Sequence, residues 1–282
     1  MKNPVCRQVR LLTHTQKTKF NVLLIYSGGF LFSIRQHPGI LKLFFLIKQF
    51  DKRLFILLGF AFIIATVIGT LSHELGHYIA AKSMGYKATV HYSYVNWDDA
   101  ESPGLIDSIT LARPKQPEKG ASFPNKEKQK QLLHKYLHDS LWIRIAGPFQ
   151  TMLTGTIGLL LLFSWRKSFN AKQKLSPGQW LLVFITLFWL RQIAYMAVWF
   201  GSFLLTGRLS YSGDEIGIAQ ELDLPFWLLA TATGMMGIII LYIVIFKFIP
   251  KTQRFTFILS GMVGGTAGYI LWLYLLGPVL MP

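Results

Sequence analysis

Cys6 is the only cysteine among 282 residues. That excludes an internal disulfide framework and a zinc site built on cysteines. Acid is scarce as well, with 13 Asp and Glu against 29 Lys and Arg for a net charge of +16. Charged residues make up only 15% of the chain, where a soluble domain carries about 25%. No internal repeat is present, which excludes solenoids and propellers. What the chain has in quantity is apolar surface: 52% apolar residues, including 22 Phe, 11 Tyr and 8 Trp, and a mean hydropathy of +0.39. This is the balance of a multi-span membrane protein. The basic residues lie between apolar runs, where a membrane protein needs them, so the lipid bilayer is the expected partner and nucleic acid is not.

Five apolar runs reach the ~20 residues that a membrane crossing takes. They cover residues 54–81, 141–163, 180–205, 226–248 and 255–280. Trp142, Trp165, Trp180 and Trp227 stand near their ends, as interface anchors do. Residues 20–34 are apolar but short and broken by Gly28-Gly29, and no small-residue cleavage site follows. Residues 40–53 mix Leu, Phe and Ile with Lys and Arg, the pattern of an interfacial amphipathic helix. The expected fold is therefore an all-α polytopic membrane protein with five to six transmembrane helices.

Loop charges set the expected topology. Residues 1–53 carry ten Lys and Arg against Asp51, and residues 164–179 carry Arg166, Lys167, Lys172 and Lys174 with no acid. Residues 206–225 carry Arg208 against Asp214, Glu215, Glu221 and Asp223. The alternation puts the N-terminus inside and the C-terminus outside. Three parts follow: a basic region 1–53, a core 54–225 with a polar insert at 83–140, and a final pair of helices at 226–282. In the insert, KATVHYSYVNW alternates like a strand, LIDSITLAR suits a hairpin partner, and KQPEKGASFPNKEKQKQ has the composition of a mobile linker.

One apolar run carries polar chemistry. GTLSHELGHYIAA contains His73-Glu74-Leu75-Gly76-His77, an H-E-x-x-H pattern. Residues four apart share a helix face, so His73 and His77 can present two imidazoles to one metal. A catalytic zinc ion takes three protein ligands and keeps one position open. Glu74 is placed to accept a proton from water and return it to a leaving amine. Ionisable residues in a membrane segment mark function by default. Asp214, after the third run and on the same membrane face as His77, is the expected third ligand, with Glu215 its nearest rival and Glu221 and Asp223 behind. His134 and His138 are also four apart, but Lys135 stands where the base should be, and the surrounding run has the character of a surface or interface helix.

With these residues in place, the chain resembles the site-2 protease family of intramembrane zinc metalloproteases. HELGHYIAA followed by KSMGYKATV carries the resemblance, supported by Ala146-Gly147-Pro148 in the next span and by Asp214 preceded by Ser-Gly. The resemblance covers residues 54–225 or so. It implies that His73, His77 and Asp214 bind Zn2+, that Glu74 activates water, and that the substrate is a transmembrane segment of another protein. Two positions depart from the family pattern. Thr151, beside Gln150, stands where the family has an Asn that steadies the reacting carbonyl, and Asp214 is followed by Glu215 instead of Gly.

The sequence leaves three rivals: a catalytically inactive membrane protein that binds a client transmembrane segment, a metal carrier, and a prenyl-protein-type zinc protease, which would take Glu215 or Glu221 as its third ligand. Arg191, midway along the third run, faces either the cavity or an ion-pair partner on another helix. Gly261, Gly264, Gly265 and Gly268 give the last helix a small-residue face, suited to packing and also to a homodimer. His91 has the setting of a surface residue.

Overall fold

The computed structural model describes residues 50–98, 126–169, 174–207 and 213–282. The proposed segments at 20–34 and 40–49, and the LIDSITLAR stretch, lie outside them.

The chain is an all-α multi-pass membrane protein: five helices are long and apolar enough to cross a bilayer, at Lys52–Ser83, His134–Ser164, Pro177–Thr206, Phe226–Phe248 and Lys251–Leu280. Helix α1, Lys52–Ser83, starts where the Asp51 carboxylate accepts the Leu54 N–H at 3.1 Å. The capped start has no competitor along the apolar run, which continues until Gly85, whose φ of +89° is a conformation that glycine adopts without strain. Strands β1, Lys87–Val90, and β2, Val95–Asp98, then pair antiparallel, Lys87 opposite Asp98 and Val90 opposite Val95. The first strand thus finds its partner within KATVHYSYVNW itself, because the alternation is interrupted by a turn at residues 91–94 instead of running through.

Helix α2 spans Lys126–Ser164. It takes in the KEKQKQ residues that composition assigned to the linker. Lys, Glu and Gln are good helix formers, and the apolar run that follows extends the helix back through them. Helix α3, Pro177–Thr186, has Pro177 at its first turn and a reciprocal cap between Ser176 and Gln179. A 3₁₀ turn at Leu187–Trp189 breaks it from α4, Leu190–Thr206. Helix α5, Asp214–Glu221, is short, and α6, Phe226–Ile243, returns across the bilayer. Helix α7, Lys251–Ile270, crosses last and ends through a π turn at Leu271–Leu276 into α8, Gly277–Leu280.

Two ends form around the five crossings. At one end Asp51, Lys174 and the start of α7 meet: Lys174 pairs with Asp51 at 2.9 Å, and the Asp51 N–H donates to Thr256 at 3.2 Å. There a π turn at Val244–Phe248 leaves carbonyls that Arg254 takes up, bonding Phe246 at 2.7 Å and Ile249 at 3.0 Å. At the other end the β-hairpin lies against the chain's last residues, with the Trp272 indole N–H donating to the Tyr92 carbonyl at 2.9 Å and the Tyr92 N–H to Met281 at 3.2 Å.

Helix α1 is flanked by α7 and α2. At α7, Gly264 leaves room for the Gly59 backbone, and Gly268 for Ile63 and Thr66. This is the packing role of the small-residue face, and Gly265, with nothing near it, stands apart from that contact. Trp142, Trp165 and Trp227 are about half exposed, in keeping with interface anchors. Trp180 is not an anchor. It is buried, with its ring stacked on Phe257 at 5.7 Å, because the cap at Ser176 turns that face of α3 inward.

Candidate metal centre

His73 and His77 lie one turn apart on α1 and are buried. His73 stands ten residues before the helix ends at Ser83, about 15 Å along the axis. Polar groups this deep need a built environment, and α2 supplies part of it. Gly76 and Gly147 bring the two helices so close that a side chain on Gly76 would press on the Ala146 carbonyl at 2.7 Å. A side chain on Gly147 would run into both imidazoles, coming within 2.8 Å of the His73 ring and closer still to His77. The imidazoles therefore sit in a space that only glycine at position 147 leaves free.

The carbonyl of Ile143, one turn before Gly147, lies 2.6 Å from His77 Nδ1. A carbonyl can only accept, so Nδ1 carries the proton and Nε2 is turned inward. This is the outer partner that orients a ligating histidine.

Asp214 comes from the opposite side, at the start of α5. The residue before it, Gly213, has φ +111° and lies against the Tyr195 ring, so neither the backbone nor the space there admits another residue. α5 is held to α2 by Glu221, which accepts from Ser140 at 3.3 Å and faces Arg144 at 3.8 Å. Thus α4, through Tyr195, and α2 together fix where Asp214 points.

Three ligand atoms converge. His73 Nε2 is 2.9 Å from Asp214 Oδ2, His77 Nε2 is 3.3 Å from the same oxygen, and the two Nε2 atoms are 3.1 Å apart. Tetrahedral zinc with ligands at 2.0–2.1 Å has edges of about 3.3–3.4 Å, so the triangle is close to the size such an ion wants. In neutral imidazoles both Nε2 atoms present lone pairs beside a carboxylate oxygen, three acceptors facing one another. A cation satisfies that arrangement. Arg191 bears this out, its Nη2 lying 2.6 Å from His73 Nε2 and 3.7 Å from Asp214 Oδ2. His73, His77 and Asp214 could hold a metal ion, and Glu215 is not part of that group.

Burial alone would raise the Asp214 carboxyl, but when the imidazoles carry protons on Nε2 their hydrogen bonds and charges outweigh it and hold the group well below the ordinary carboxylate range. Glu215, its neighbour, is buried at 4% exposure, and burial together with the Asp214 charge pushes its carboxyl up. Two adjacent acids thus have opposite characters, decided by which of them faces the imidazoles. Glu221 is spent on α2, and Asp223 sits beyond α5 at φ +53°.

Glu74 is also buried, at 4%, and lies within reach of the charges of His77, Arg191 and Asp214. Thr151 is 1% exposed and donates to the Pro148 carbonyl at 2.9 Å, so it does not reach the centre. The Gln150 amide nitrogen donates to Thr154 at 3.1 Å. His138 is on the surface beside Asp139 and Trp142, and His91 stacks on Tyr94 in the hairpin. Ile143, Gly147, Gly213 and Tyr195 were not singled out by sequence for the roles they take here. Gly147, beside Pro148 in the next span, and Gly213, in the Ser-Gly before Asp214, carried a local signal. No family model, curated protein or solved structure matches the chain.

Proposed function

We propose that the protein is an intramembrane zinc metalloprotease of the site-2 protease kind, cutting a peptide bond in a transmembrane segment of another protein. One observation carries the reading: two histidines one turn apart and a carboxylate from a distant helix converge within 3.3 Å, with a buried glutamate beside the first histidine. His73, His77 and Asp214 would hold the ion. Bound zinc would supply Lewis-acid polarisation for the attack of water on the peptide carbonyl.

The chain's own groups account for the rest. Glu74 accepts the proton that water gives up and delivers it to the amide nitrogen as the C–N bond breaks. The Ile143 carbonyl keeps the His77 tautomer that leaves Nε2 directed inward. Asp214 and Arg191 are the partly exposed side of the centre, at 25% and 34%, and water would come from there. A substrate segment must present an unwound carbonyl to that side, since a helical one is already bonded to its own backbone.

The catalytically inactive client-binding reading has one observation in its favour, the inward-bonded Thr151 hydroxyl. Zinc content and a Glu74 variant separate the two. The purified protein should bind one zinc per chain, and His77→Ala and Asp214→Ala should lose it. Glu74→Gln should keep zinc yet lower cleavage of a co-expressed membrane substrate by about 10²–10⁴-fold. Full cleavage by Glu74→Gln would remove the protease assignment.

A further inference from the structure

We infer that Arg191 is the group that meets the substrate's carbonyl oxygen, an inference that rests on the hydrolytic reading above. When water adds to a peptide carbonyl, its oxygen bonds to carbon and the C=O electron pair moves onto the carbonyl oxygen. Glu74 takes one proton from the water and passes it to the amide nitrogen as the C–N bond breaks, leaving a carboxylic acid and an amine. The negative charge on the carbonyl oxygen needs a donor aimed at it, and such donors are among the largest contributors to rate.

The two α2 residues at the position where the resembled family has its Asn are not aimed at it. On α2 the Thr151 hydroxyl bonds the carbonyls of Pro148 and Gly147, and the Gln150 nitrogen is engaged by Thr154. Both side chains are turned back along their own helix. Arg191 comes from α4 on the other side and is directed at the reacting region itself, with Nη2 at 2.6 Å from His73 Nε2. Its side chain is 34% exposed. The two contacts to His73 and Asp214 run through a single terminal nitrogen, of a guanidinium that carries five N–H donors.

An ion pair with Asp214 does not by itself explain the placement. At 3.7 Å and through one nitrogen, it lacks the paired geometry of a structural Arg–carboxylate bond. Asp214 also already faces two imidazoles. Nor does the contact to His73 persist in a loaded site, because the Nε2 lone pair cannot accept from Arg191 and ligate a cation together. Metal binding frees that N–H beside the centre, where an anionic oxygen can take it up.

The test needs no natural substrate. The protein is loaded with Co2+, whose visible spectrum reports the metal site, and titrated with orthophosphate as a tetrahedral oxyanion. Arg191→Met should bind the metal as tightly as the parent or roughly three- to tenfold more tightly, since a neighbouring cation is gone. Its phosphate affinity should fall at least about tenfold. Arg191→Lys, which keeps the charge without the fork, should lose phosphate affinity by a smaller factor while keeping the metal. If Arg191→Met does not fold, Arg191→Lys carries the test alone, and unchanged phosphate affinity overturns the role. Weaker metal binding in Arg191→Met with unchanged phosphate affinity would make Arg191 a brace for the ligands and also overturn it, leaving the protease reading intact. A parent protein that binds no metal would remove both.

Discussion

Gly147 lies so close to His77 that a single added methyl would occupy the space of the imidazole edge. The relationship ties the metal centre to the packing of two membrane helices. The α1–α2 contact is made at Gly76 and Gly147, and the imidazoles are seated by that same contact. Glycine at 147 therefore serves the centre, whereas Gly76 serves the approach of the backbones.

Gly147→Ala should leave the helices assembled but push the imidazoles off their triangle. Loss of an outer support typically costs 10–100-fold in metal affinity, and the alanine variant should weaken zinc by about that much. A chelator competition on the purified protein measures it. Unaltered zinc affinity would mean that the rings can move aside without consequence.

The α1–α7 contact gives a matched pair. A Cβ on Gly264 would meet the Gly59 backbone, with Cα at 2.9 Å, whereas one on Gly265 would meet nothing. Gly264→Val should destabilise the protein by about 1–3 kcal/mol through overpacking, and Gly265→Val should be close to neutral. Unfolding in mixed detergent micelles compares them. Equal effects would mean that the valines act through helix propensity and not through packing.

How far the sequence carried the reading follows from the range of each signal. The crossings were legible because bilayer thickness turns a long apolar run into a span, and the centres of all five agree with the helices found. The ends were less so: α7 begins at Lys251, set by Pro250 at its cap, several residues before the hydrophobic run takes hold. The 3₁₀ break before α4 and the two π turns depend on tertiary contacts and leave no periodic trace, and the alternation that marked the strands did not show where the pair turns. At the centre, the spacing of His73 and His77 was local and therefore readable. Asp214 was preferred to Glu215 from its place and its preceding Ser-Gly, but what fixes the preference was not readable, since it depends on how Gly213 and Tyr195 turn the first residue of a short helix. Arg191 was recognisable as an expensive residue, but its aim at His73 is a product of the fold.

The hairpin's attachment at the far end is open to a direct test. The Trp272 indole donates to the Tyr92 carbonyl at 2.9 Å, and Trp272 itself is 5% exposed. Trp272→Phe keeps an aromatic ring but removes the donor, leaving a carbonyl unpaired, at a cost of about 1–3 kcal/mol. Amide exchange of residues 87–98 should then rise well before the transmembrane helices loosen. Exchange that rises throughout the protein would place Trp272 in the common core instead.

At the opposite end, Asp51 predicts a pH dependence with a definite sign. The Lys174 ammonium, bonded at 2.9 Å, and then the Leu54 amide hold the Asp51 carboxyl below its ordinary value of 3.8. A carboxyl whose folded value is depressed stabilises the fold above its unfolded value and loses that contribution as pH falls through the folded one. Asp51→Asn retains a capping oxygen but removes the charge, so it should melt below the parent at pH 7, with the gap closing as pH drops below 3.8. Asp51→Ala removes the cap as well and should keep a deficit at every pH. Tryptophan-fluorescence melts in detergent across pH 3–7 distinguish the two. The salt dependence adds a check, because an exposed pair weakens as ionic strength rises, and the Asp51→Asn gap should narrow in high salt while the Asp51→Ala deficit persists. A gap that ignored both pH and salt would assign Asp51 to the cap alone, with Lys174 contributing nothing to the start of the helix that carries both histidines.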